Sequence, residues 1–95
     1  MFLSNVKLNP QSRQVQRELS NPYEMHRTLM RSIPEDTNRA QAGMLFRVEQ
    51  RSDFNQLSLS ILVQTMIKPD WHFLETVTDY LLESQVAVKE FVIDP

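Results

Sequence analysis

Leu57-Ser58-Leu59-Ser60-Ile61-Leu62-Val63-Gln64 is the stretch on which the fold turns. Leu57, Leu59, Ile61 and Val63 alternate with Ser58, Ser60, Leu62 and Gln64. A period of two places the first set on one side of a pleated strand, facing a core. Upstream, Met44, Phe46 and Val48 alternate in the same way with Leu45, Arg47 and Glu49, just after Gly43, the only glycine in the chain. Residues 50–56 between the two runs are polar and are expected to form a turn. Two alternating runs around one turn predict an antiparallel hairpin.

Working outward, the N-terminal residues Phe2, Ser4, Val6 and Leu8 alternate with Leu3, Asn5 and Lys7, and Asn9-Pro10 stops the run. This predicts a further strand. Residues 11–20 are polar, with Val15 and Leu19 four apart, and fit either a short helical segment or a loop. Asn21-Pro22 then opens a helix. Asparagine satisfies free backbone N–H groups at a helix start, and proline suits the first helical position. Glu24 stands where the carboxylate of a capping box belongs. Met25, Leu29 and Ile33 form one apolar stripe, Glu24, Arg27, Thr28 and Arg31 face away from it, and Pro34 ends the helix. Residues 35–42 read as a polar loop.

Beyond the hairpin, Lys68-Pro69-Asp70 breaks the pattern, and Asp70 can cap a helix that begins there. Phe73, Leu74, Val77, Tyr80 and Leu81 have helical spacing. Val86, Val88 and Val92 alternate with Ala87, Lys89, Phe91 and Ile93, which predicts all or part of a last strand. The order strand–helix–strand–strand–helix–strand is the α+β, ferredoxin-like split βαββαβ plan. Right-handed crossovers would give a four-stranded antiparallel sheet with both helices on one face. That plan hosts many unrelated activities. Its RNA-recognition-motif version stacks bases on aromatics of the central strands. Here those strands are expected to offer Phe46 alone, so that version is not expected.

The chain has 95 residues, enough for a single domain over 1–95. With 41% hydrophobic and 23% charged residues it has the composition of a globular domain. No apolar run approaches the ~18 residues of a membrane span, and the start lacks the order of a signal peptide. No membrane partner is expected. The chain has no cysteine, which excludes disulfides and thiolate metal sites. A net charge of −2 excludes a globally basic nucleic-acid binder but not a local basic surface. Lys7, Arg13, Arg17, Arg27 and Arg31 face only Glu18 and Glu24 in the first third of the chain, which is where an anionic ligand would go, although on composition alone the charges read first as solvated faces.

Tyr23 and His26, three apart at a helix start, share a face one turn apart. Arg27 adjoins His26, and Arg31 lies one turn beyond Arg27. A phenol, an imidazole and nearby guanidiniums suit cleavage of RNA by its own 2′-hydroxyl. One group takes the 2′ proton, another protonates the leaving 5′ oxygen, and cations stabilise the phosphorane. Imidazole, with an ordinary pKa of ~6.5, suits proton transfer near neutrality, whereas phenol at ~10 donates or orients. The helix start itself attracts phosphate. The same spacing is compatible with a semi-buried structural histidine at the edge of the apolar stripe and a tyrosine at the core edge. His72, beside Asp70 and Trp71, fits a surface or capping role, and Trp71 fits the core. No third ligand stands at metal spacing, so no metal and no cofactor are expected. Glu18 with Glu24, or Asp70 with Glu75, read as solvated charges rather than catalytic pairs.

Asn21-Pro22-Tyr23-Glu24-Met25-His26-Arg27-Thr28-Leu29 resembles the active-site helix of the CasE family, the CRISPR-associated endoribonucleases of type I-E systems. Leu8-Asn9-Pro10 with Ser12-Arg13, Leu45-Phe46-Arg47-Val48-Glu49, and Leu62-Val63-Gln64-Thr65 followed by Pro69-Asp70-Trp71 resemble the surrounding strands and turns of that family. The resemblance implies a metal-independent endoribonuclease that cuts CRISPR precursor RNA within each repeat hairpin. It leaves a 2′,3′-cyclic phosphate and stays bound as a subunit of the cytoplasmic type I-E Cascade complex. By motif position Tyr23 and His26 take the catalytic places, and Arg27, then Arg13 and Arg31, the RNA contacts. Family members carry a second, C-terminal ferredoxin-like domain with a glycine-rich loop and an Arg-Leu-Arg-Ala-Asn-Pro-like segment closing the first. Neither feature is found here, so the resemblance implies the N-terminal half of a two-domain protein whose last strand is incomplete or replaced by Val86–Ile93. Two other readings remain: a non-catalytic RNA-binding or scaffold subunit, and an unrelated ferredoxin-like interaction domain.

Overall fold

The alternating apolar runs become a sheet because one side of each strand has a core to face. The computed structural model describes residues 1–35, 42–53, 56–77, 79–83 and 85–90. Its strands are β1 (Phe2–Leu8), β2 (Leu45–Asp53), β3 (Gln56–Thr65) and β4 (Ala87–Glu90). Its helices are α1 (Arg13–Leu19), α2 (Pro22–Met30) and α3 (His72–Glu75). The sheet is antiparallel throughout, in the order β2-β3-β1-β4. This is the strand order of the ferredoxin-like α+β plan.

Register sets the buried face. Ser4 pairs with Val63, Val6 with Ile61 and Leu8 with Leu59 across β1 and β3, and Phe46 pairs with Val63 across β2 and β3. Val6, Leu8, Leu59, Ile61 and Val63 are buried, together with Val15 of α1, Met25 and Leu29 of α2, and Leu74 of α3. The three helices therefore cover one face. Burying each such side chain contributes about 1.5–3 kcal/mol. Leu3, Asn5, Lys7, Ser60, Leu62 and Gln64 alternate with the core residues and leave the opposite face open. Gly43 enters β2 at φ +57, a left-handed conformation, and a side chain there would press on Met66 at 3.3 Å.

Four expectations need correction. The polar stretch 50–56 is mostly strand: the β2–β3 ladder runs out to Arg51 opposite Ser58 and Asp53 opposite Gln56. Ladder hydrogen bonds are made by the backbone, so the pairing continues past the last core residue. Residues 11–20 do contain a helix, α1, capped by Ser12, whose hydroxyl accepts from Val15 N–H at 3.3 Å. The element order is therefore β-α-α-β-β-α-β, with one more helix than expected. The helix expected over Phe73–Leu81 is a single turn. Asp79 takes φ 64, and its carbonyl accepts from the Asn9 side chain at 2.9 Å. Tyr80 then enters the core, and Leu81 bridges to Leu8. Finally, Phe46 lies on the edge strand β2, not a central one, and no aromatic side chain stands on the open face of β1.

The segment Tyr80–Leu82 lines the end of β1, where Tyr80 C=O accepts from Asn9 N–H at 2.9 Å and Leu82 N–H donates to Lys7 C=O at 3.0 Å. β4 takes over along the rest of that edge, from Asn5 opposite Ala87 to Phe2 opposite Glu90. The residues expected to carry this strand to Ile93 lie outside the described residues, as do 36–41 of the expected polar loop. Trp71 is core, as expected, and its indole N–H donates to the buried Ser4 hydroxyl at 2.9 Å. Among the described residues no helix is long and apolar enough to cross a membrane.

Candidate functional site

The helix that carries Tyr23 and His26 begins where its sequence says it should. Asn21 is extended at φ −137, and its side-chain oxygen accepts from Tyr23 N–H at 3.2 Å. Pro22 occupies the first turn. The reciprocal half of a capping box is not formed. Asn21 N–H donates to Glu18 C=O at 3.1 Å, and the Glu24 carboxylate turns toward Arg27 at 3.8 Å instead. Removing the cap with Asn21→Ala is expected to cost ~1 kcal/mol. Thermal unfolding should register this as a drop of about 4–8 °C, and an unchanged melting temperature would show that the cap is idle.

Met25 and Leu29 hold one side of α2 in the core, which turns Tyr23, His26 and Arg27 outward. Tyr23 is 70% exposed, so it is not a core-edge aromatic. His26 is exposed as well and not semi-buried. Its ring leans against Phe46 of β2, with centroids 6.1 Å apart and planes at 32°. That contact gives the imidazole a preferred position while leaving it open to solvent.

Arg17 and Glu18 of α1 join Tyr23, His26 and Arg27 of α2, and Arg31 at its end, in lining one open groove of about 590 Å³. Four of the five residues that the sequence points to thus meet at one surface. Arg13, exposed at the first position of α1, does not line this groove. Arg17 does; the sequence counts it in the basic first third but does not single it out as a site residue. Its sequence signals are only that basic cluster and its place one turn after Arg13, because the packing of α1 against α2 is not written in either segment alone.

The groove is cationic on balance. Arg27 is paired with Glu24, a surface contact worth little. Arg17 and Arg31 form no ion pair among the described residues. Arg31 instead lies over the Phe73 ring, with the guanidinium carbon 4.7 Å from the ring centroid. Glu18 is a negative charge within the groove lining, but it is 3% exposed and already engaged, which corrects its reading as a solvated charge. Gln14 donates to it at 3.1 Å, the Thr28 hydroxyl at 2.7 Å and the Tyr80 hydroxyl at 2.6 Å. Burial, then the hydrogen bond to Glu18 and its charge, push the Tyr80 phenol far above its ordinary range. Tyr80 therefore stays protonated and serves as a donor.

His72 is exposed near the start of α3, its N–H donating to Asp70 at 2.9 Å and its ring 3.9 Å from Glu75. This matches the surface role expected of it. Among the described residues no group of three or more acidic, histidine or cysteine side chains could hold a metal ion. Leu3, Leu45, Phe46, Arg47, Leu62 and Gln64 of the sheet line a shallow depression of about 270 Å³.

Comparison with known proteins gives a consistent set of relatives. The family described as CRISPR associated protein matches residues 1–92. Over 75 residues the chain is 39% identical to the CRISPR-associated endoribonuclease Cse3 of Thermus thermophilus, covering 79% of this chain and 35% of that protein. A crystal structure of a CRISPR-associated protein from Thermus thermophilus superposes with a TM-score of 0.79 at 35% identity, over 99% of this chain and 47% of that one. Thermus thermophilus Cse3 bound to an RNA representing a pre-cleavage complex superposes with a TM-score of 0.73 at 31% identity, over 99% of this chain and 44% of that one. The chain spans less than half the length of each of these relatives.

Proposed function

The chain belongs to the CRISPR-associated protein family, and we propose that it is the domain of an endoribonuclease that presents the reacting groups to CRISPR precursor RNA. The observation that carries this reading is the convergence of Tyr23, His26, Arg27 and Arg31, joined by Arg17, on one open groove. Its similarity to Cse3, an endoribonuclease that has been solved with RNA bound, supports it.

The substrate on this reading is the hairpin of a CRISPR repeat. The 2′-hydroxyl attacks the adjacent phosphorus, the bond to the 5′ oxygen breaks, and a 2′,3′-cyclic phosphate and a 5′-hydroxyl result. His26 is the principal proton-transfer group. Tyr23 orients the RNA or assists. Arg27 contacts the reacting phosphate, exchanging its weak pairing with Glu24 for a singly charged phosphodiester whose negative charge grows in the phosphorane. Arg31, Arg17 and, further out, Arg13 bind the flanking backbone. Protons and fixed cations suffice for this chemistry without a metal ion. In the intact protein the domain works beside a second ferredoxin-like domain that grips the RNA. The protein keeps its product and acts in the cytoplasm as a subunit of the type I-E Cascade complex.

The decisive experiment incubates the full-length gene product in chelator with the repeat hairpin RNA of its own genome. Cleavage to a 2′,3′-cyclic phosphate is the expected result. Binding without cleavage would leave a scaffold subunit, and no binding would leave a family member that does not act on this RNA. Arg17→Ala is expected to weaken binding at all repeat sequences alike and to lower the slope of log affinity against log salt by about 1. An unchanged salt dependence would remove Arg17 from the interface.

A further inference from the structure

Arg31 has a second neighbourhood. Besides the groove it shares with His26, it lines another of about 440 Å³, together with Glu35, Asp70, His72 and Phe73. One guanidinium therefore stands where the two grooves meet. It is held there: Arg31 lies 4.7 Å over the ring of Phe73, and Phe73 packs in turn on the buried Trp71, with ring centroids 6.3 Å apart and planes at 27°. Trp71 is anchored by its hydrogen bond to Ser4. The stack runs from the core to the surface, so Arg31 is ordered without being neutralised by a carboxylate.

The lining of the second groove selects what can enter it. Glu35 and Asp70 repel a phosphate, so the RNA backbone does not continue there. They do accept hydrogen bonds from amino groups, and one Asp70 oxygen is already an acceptor for His72 N–H at 2.9 Å. A planar guanidinium is weakly hydrated and stacks on flat π-systems, including bases. A cation and an aromatic ring at the mouth with carboxylates inside fit a base whose edge donates protons.

We propose that Arg31 and Phe73 form a stacking shelf for one unpaired nucleobase carrying an exocyclic amino group, next to the phosphate held over His26. This rests on the endoribonuclease reading and adds to it a site that reads a base. The chain then turns there: the phosphate stays in the cationic groove while the adjoining base swings across Arg31 toward Asp70.

The test uses the full-length protein and its repeat hairpin RNA, with an abasic residue placed at each unpaired position in turn. At one position, loss of the base is expected to weaken binding roughly 5- to 150-fold, the range of a base-stacking contact. The same sensitivity is expected in Phe73→Tyr, which keeps the ring, and its loss in Phe73→Leu, which keeps the apolar packing. Uracil at that position should bind more weakly than adenine or cytosine. Sensitivity that survives in Phe73→Leu, indifference to base removal at every unpaired position, or equal binding of uracil would each overturn the shelf while leaving the endoribonuclease standing. Failure of the wild type to bind the intact hairpin would bring down the endoribonuclease reading and the shelf with it.

Discussion

His26→Ala is expected to slow cleavage of the repeat hairpin by roughly 10²–10⁴-fold, the usual contribution of general acid–base catalysis. RNA affinity should change little, because the imidazole is one exposed ring among several cationic contacts in the groove. Stability should change little too. Exposed substitutions stay within about 0.5 kcal/mol unless they break a special contact, and the one contact here is the tilted packing on Phe46. These three expectations separate the roles His26 could have. A structural histidine would lower the melting temperature and slow cleavage only through unfolding. A phosphate ligand would raise the dissociation constant and flatten the salt dependence. A proton-transfer group lowers the single-turnover rate at saturating RNA and leaves the other two in place. A mutant that cleaves at the wild-type rate would take His26 out of the mechanism altogether. Tyr23→Phe in the same assay distinguishes a hydroxyl that works on the RNA from a ring that only lines the groove.

The groove is legible in the sequence as far as one helix can show it. Asn21-Pro22 fixes where α2 begins, and Met25 with Leu29 fixes which side is buried, so the outward set Tyr23, His26, Arg27 follows. The hairpin is equally legible, because a strand with one buried face shows its period of two directly. Each feature that the sequence hides is hidden for a physical reason. Phe73, Leu74, Val77, Tyr80 and Leu81 fall at helical intervals, yet Tyr80 and Leu81 serve a hydrogen bond to Glu18 and a bridge to Leu8. Spacing records that residues are apolar, not what they are apolar for. The far end of the β2–β3 ladder escapes notice because backbone pairing leaves no mark on polar side chains. Arg17 and Glu18 escape it because their importance comes from partners on other segments: Thr28 is 10 residues from Glu18, and Tyr80 is 62.

Glu18→Ala should then be the most damaging single change outside the apolar core. Glu18 joins α1, α2 and the turn after α3 through Gln14, Thr28 and Tyr80. Truncation leaves the Tyr80 hydroxyl buried with only the Met25 sulfur at 3.9 Å, and leaves the Thr28 hydroxyl without its acceptor. Each buried donor stranded in this way costs about 1–3 kcal/mol, so the two together cost about 2–6 kcal/mol. A melting temperature lower by about 8 °C or more is the expected reading. Tyr80→Phe removes one donor and keeps the carboxylate partnered by the other two, so it should cost about 1–2 kcal/mol. Because the two residues share one bond, the double variant should lose less than the sum of the singles. Strict additivity would mean that the Tyr80–Glu18 bond contributes nothing, and a Glu18→Ala protein within about 0.5 kcal/mol of wild type that the whole network contributes nothing. The phenol gives an independent check. Its pKa is raised on folding, so the unfolded chain releases this proton near the ordinary value of about 10 while the folded chain keeps it. Stability is then full below that pH and falls as pH rises beyond it. Without Glu18, hydrogen bond and charge no longer raise the phenol, burial alone remains, and the alkaline loss levels off at a lower pH.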